Sequence, residues 1–110
     1  MVPAYEIIYS RRYSFENGSE SPESSKKIKV DTSFSKRIER SIRLSEDYEV
    51  DTDILLYPDC FRVILWLPYA LYEGQIKQTL SSLISDAISL SFQADTQNTY
   101  RFILSLEFSR

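Results

Sequence analysis

The sequence predicts an α+β domain: an antiparallel sheet with two helices packed on one face, in the ferredoxin-like βαββαβ order with an additional C-terminal strand. Three observations predict it. Stretches of strict two-residue alternation recur through the chain, two segments switch to a helical period between them, and the most apolar stretch, "DCFRVILWLPYA", has apolar residues on both parities, as a central strand does. A chain of 110 residues with 43% hydrophobic content suits a single domain spanning 1–110.

The first strand falls in residues 4–15, where Tyr5, Ile7, Tyr9, Tyr13 and Phe15 share one parity against Glu6, Ser10, Arg12 and Ser14. "ENGSESPESSKK" follows without an apolar side chain, and residues 16–27 are expected to form a mobile polar loop. "KIKV" at 27–30 is a short extended candidate. Residues 33–45 then read as an amphipathic helix, with Phe34, Ile38 and Ile42 every fourth residue and Asp31, Thr32 or Ser33 as N-cap; Arg40, Ile42 and Leu44 also share a strand parity.

Residues 50–57 and 60–69 are β-rich around "YPDC", where Pro58 presets a turn, so they form a hairpin. "EGQIKQTLSSLISDAIS" carries Ile76, Leu80, Leu83, Ile84, Ala87 and Ile88 at helical spacing. Residues 90–95 and 99–108 close the chain as two strands joined by "DTQN", the last with Tyr100, Phe102, Leu104, Leu106 and Phe108 on one face.

Composition restricts function by exclusion. With no histidine, the commonest general base and the commonest transition-metal ligand are missing. The two glycines, Gly18 and Gly74, cannot build a phosphate-binding loop. Cys60 has no second cysteine to bridge, and its neighbour Asp59 opposes thiolate formation. Glu49, Asp51 and Asp53 share a parity that could align three carboxylates, but the residues of a calcium loop do not follow, and a solvated acidic edge is the better reading. No catalytic residue, metal or cofactor is expected.

The longest apolar run, Val63 to Tyr72, is shorter than the roughly 20 residues that cross a bilayer. No leader pattern precedes it, and the single cysteine fits a reducing, cytoplasmic location. Charge is segregated: residues 26–43 hold seven basic side chains against two acidic ones, whereas residues 44–59 hold six acidic and none basic.

The resulting expectation is a non-enzymatic interaction module whose partner is another protein or a second copy of itself. Its surface would be the open sheet face, a strand edge or the serine face of the long helix, using Tyr9, Arg11, Tyr13, Trp66, Ser81 and Ser85, with Ser89 continuing the serine stripe. The second reading is a nucleic-acid-binding module using the basic stripe Lys36, Arg37, Arg40 and Arg43. Against both stands a bland alternative, in which the stripe is solvated or answers the chain's own acidic segment.

Overall fold

A computed structural model describes residues 5–13, 35–74 and 76–110. The segment expected as a mobile loop, the extended piece at 27–30 and the N-cap of the first helix lie outside the described residues. In chain order the elements are β1 (Glu6–Arg11), α1 (Ser35–Tyr48), β2 (Asp51–Leu56), β3 (Cys60–Pro68), α2 (Tyr69–Glu73), α3 (Lys77–Asp86), β4 (Ser89–Ala94) and β5 (Arg101–Ser109). The fold is α+β, with one antiparallel sheet in the order β1-β2-β3-β5-β4.

The centre of the sheet is the β3–β5 ladder, nine residue pairs from Cys60↔Ser109 to Pro68↔Arg101. Alternation on both strands sends Phe61, Val63, Leu65 and Leu67, with Phe102, Leu104, Leu106 and Phe108, to the same side, where all are buried. Phe61 and Phe108 stack there with centroids 4.9 Å apart. Burying each of these side chains contributes about 1.5–3 kcal/mol, so this layer dominates the core.

The helices close that side. Helix α1 buries Ile38, Ser41, Leu44 and Ser45, while α3 and the residue before it bury Ile76, Leu80 and Leu83. Two serines are tolerated under α1 because both hydroxyls donate to backbone carbonyls, Ser41 to Arg37 at 2.9 Å and Ser45 to Val50 at 2.7 Å. The helix expected over 73–89 is shorter, Lys77–Asp86, with Ile88 63% exposed beyond it, and a separate short α2 before it makes three helices among the described residues where two were expected. Ser89 accordingly belongs to β4 and not to a helical stripe.

The ferredoxin-like arrangement is only half present. β3 and β4 run parallel, joined through α2 and α3, with β5 inserted between them, which is one split βαβ unit. On the other side β1 and β2, which flank α1, are direct antiparallel neighbours, so no strand lies between them and β1 is an edge among the described strands. The final strand is likewise central, not appended. Alternation specifies which face of a strand is buried; it carries no information about which strand sits beside it.

β1 also departs from simple alternation. Its register against β2 slips between Ile7 and Tyr9, where Ile8 is the extra residue. Ile7 therefore pairs with Leu55 on the outer face, whereas Tyr9 pairs with Ile54 and enters the core at 5% exposure.

Helix α1 ends in a left-handed residue, Glu49, with φ of 54°. The Val50 N–H returns to the Ser45 carbonyl at 2.9 Å, the six-to-one bond that closes a helix before a reversal. This reversal delivers β2 two residues later, but at a position where an L residue is strained by roughly 1–2 kcal/mol. Glu49→Gly is expected to raise unfolding stability by about 1 kcal/mol, read as a higher urea midpoint at unchanged slope.

Candidate functional site

Each residue expected to touch a partner occupies a definite place. Trp66 lies half-buried on the outer face of β3, between Asp51 of β2 and Ile103 of β5. The chain leaving β1 covers it: the Arg12 guanidinium sits 4.4 Å from the Trp66 ring centroid and grips Asp53 through two contacts of 2.9 and 3.1 Å. Ser10 adds a third hydrogen bond to Asp53 at 2.8 Å. Arg11 lies 4.9 Å from the Tyr13 ring, and both residues are half-buried. Tyr9 is corrected from a surface aromatic to a core residue by the slip at Ile8, and burial pushes its hydroxyl pKa up.

Glu49, Asp51 and Asp53 do not form the solvated acidic edge expected of them. Glu49 is in the helix-ending turn, Asp53 is taken by Arg12, and Asp51 is only 3% exposed. Asp51 accepts from the Tyr13 N–H at 2.7 Å and from Arg101 at 3.0 Å. Arg101 also donates through Nε to Asp95 at 2.7 Å, and Asp95 accepts the Gln97 N–H at 3.0 Å. The Arg101 hydrogen bond, followed by the Gln97 N–H, holds the Asp95 carboxyl below its ordinary value of 3.8. This network borders a hollow of about 430 Å³ beside Trp66 and Ile103 and ties the β4–β5 turn to β2. No group of three potential metal ligands occurs among the described residues.

Two of the four basic candidates on α1 are engaged by the fold. Arg37 lies 5.5 Å from the Phe61 ring, and Arg40 reaches Asp86 of α3 at 3.1 Å. Two acids of the segment, Asp53 and Asp51, are thus answered by Arg12 and Arg101, and the stripe is answered in part by Asp86 of α3. Lys36 and Arg43, with Glu39 and Arg40, border a shallow depression of about 240 Å³. On α3 the Ser81 and Ser85 hydroxyls donate back to the Lys77 and Ser82 carbonyls at 2.8 and 2.9 Å, leaving both side chains exposed but internally satisfied. Burial, then Glu107 and Asp59, pushes the Cys60 thiol up, away from nucleophilic use.

The most exposed apolar surface lies elsewhere. Tyr69, Ile88, Leu90, Phe92 and Tyr100 are all at least 40% exposed and gather on and around β4. Five strands span roughly 24 Å, while two helices about 10 Å wide cover roughly 20 Å. Among the described residues about one strand's width is left without a helix, and that strand is β4, exposed along its whole length. From Ala87 to Ala94 it carries no charge at all, although edge strands ordinarily use charge to resist pairing. The sequence signal was "LSFQAD" at 90–95, legible as a strand but not as an edge, while Ala87 to Ser89 read as helix.

On the helix side of this margin Tyr69, Tyr72 and Phe92 surround Phe102, at centroid distances of 5.0, 5.5 and 5.2 Å. They line a hollow of about 280 Å³. No protein-family model matches the chain, and comparison with curated proteins and with solved structures returns no significant match. Among the described residues no helix is long and apolar enough to cross a membrane.

The Asp95 bridge sets an acid-side dependence. Because its folded pKa lies below the unfolded one, the stabilisation is complete above the unfolded value and is lost as pH falls through the folded value. Wild type is expected to exceed Asp95→Asn in thermal midpoint at neutral pH, with the gap closing below the ordinary carboxylate value near 3.8, as calorimetry across pH would show.

Proposed function

We propose that this chain is a non-enzymatic interaction module that extends its sheet along β4, with a second copy of itself as the partner strand. The observation that carries the reading is an edge strand exposed throughout, free of charge, with Leu90 and Phe92 bare on one face. Exposed backbone donors and acceptors on such an edge accept another strand, and alternate apolar side chains give the pairing its preference.

The strand is self-complementary in an antiparallel register centred on Ser91. A two-fold axis there sets Leu90 against the partner's Phe92 and Ile88 against the partner's Ala94, so apolar residues share one face. On the other face Ser89 meets the partner's Gln93, and Ser91 meets the partner's Ser91. Asp86 and Asp95 fall opposite the partner's Thr96 and Ala87, so no like charges are opposed. The joined helix-side faces bring the apolar margins of both copies together, which is the shielding that the helices of one copy do not supply.

Sedimentation equilibrium is expected to show a dimer in the micromolar range, and Ser91→Lys, which sets two cations face to face, is expected to shift it to monomer. In a Cys60→Ser background, Ser91→Cys is expected to cross-link on mild oxidation while Ser89→Cys does not, since only position 91 meets itself. A wild-type chain that stays monomeric at hundreds of micromolar, or equal cross-linking at both positions, would overturn the proposal.

A further inference from the structure

The hollow beside β4 has a chemistry of its own. Four aromatic rings, Tyr69, Tyr72, Phe92 and Phe102, line it together with one carboxylate-bearing residue, Glu73. The rings do not lie flat on one another: Tyr69 and Phe92 tilt from Phe102 by 40° and 33°, and Tyr72 stands at 89° to it. Planes inclined in this way cannot close into a stack, and they leave a concave space of about 280 Å³ open to solvent. Phe102 is held in the core at 4% exposure, whereas Tyr69 and Phe92 are 48% and 53% exposed, so a fixed base carries accessible walls.

We infer that this hollow is a binding site for a quaternary or methylated ammonium group. The negative faces of aromatic rings attract a cation, and a methylated ammonium satisfies them best, because it carries positive charge on an apolar surface that is cheap to desolvate. A primary ammonium would give up strong hydrogen bonds to water, and a neutral alkyl group would gain no electrostatic attraction. Among the described residues that line the hollow, Glu73 supplies the one negative charge and none is cationic. The sequence offers these residues in two separate places, "YALYE" from Tyr69 to Glu73 and Phe92 with Phe102 across the β4–β5 hairpin, and the β4↔β5 register brings them together by pairing Phe92 with Leu104 and Ala94 with Phe102.

The site shares Phe92 with the proposed β4 pairing but is not formed by it. Tyr69 and Glu73 belong to α2, away from the strand ladder, so substitutions there separate ligand binding from dimer formation. Titration of the wild-type protein with choline, followed by NMR shifts of the Tyr69, Glu73 and Phe92 amides, is expected to saturate in the millimolar range. Its neutral carbon isostere, dimethylbutanol, is expected to bind at least about fivefold more weakly, the size of one exposed cation–π contribution. Tyr69→Ala is expected to weaken choline binding by about fivefold while Tyr69→Phe retains it, and Glu73→Gln to weaken it and flatten its salt dependence. Trimethyl-lysine amide, run beside choline, distinguishes a modified protein tail from a small amine as the source, and saturable binding of either supports the site. Equal affinity for choline and dimethylbutanol, or shifts that never saturate with either cation, would overturn it.

Discussion

The ladder between β3 and β5 is the constraint on which the rest of this fold depends. Nine consecutive pairs put eight apolar side chains on one side of two strands, and a slip of one residue in either strand would carry four of them to the wrong face. Every other element is placed relative to that layer. Helices α1 and α3 cover it, β2 and β4 extend it, and the crossover through α2 and α3 is required because β4 runs parallel to β3 with β5 between them.

The outer face is managed by different means. Instead of helices it carries guanidinium groups: Arg12 over Trp66, Arg62 beside Tyr57 at 5.4 Å and 3.4 Å from Glu107, and Arg101 between Asp51 and Asp95. Long arginine stems shelter apolar surface while their heads remain paired with carboxylates. This explains why Ile64, Trp66 and Ile103 are half-buried although no helix among the described residues lies over them. The acidic and basic segments, so distinct along the chain, are thus partly cross-matched: acids of β2 meet arginines from both ends of the sequence, and Arg40 meets Asp86.

Much of the fold was legible in the sequence because periodicity reports burial directly. The β2–β3 hairpin, the helical character of residues 35–45, the buried faces of β3 and β5 and the α+β class all follow from spacing. Neighbour relations did not, since nothing in alternation says that β5 inserts beside β3 or that β1 is an edge. Tyr9 was misplaced because an extra residue at Ile8 inverts the faces beyond it. The short helix α2 was hidden because Tyr69–Glu73 is too brief to show a helical period, and the end of α3 because Ala87 to Ser89 keep that period while leaving the helix. The aromatic hollow was invisible because it joins residues from α2, β4 and β5 whose proximity exists only in three dimensions.

The irregular register at Ile8 has a further effect on how the molecule meets its own kind. A strand approaching the β1 margin finds donors and acceptors out of step, so hydrogen bonding there cannot run on without a break. Among the described strands the smooth margin is that of β4, and the symmetric pair proposed above would use up that side in both members. On the proposed pairing, a chain with one smooth margin and one kinked margin would stop at two subunits rather than polymerise into fibres.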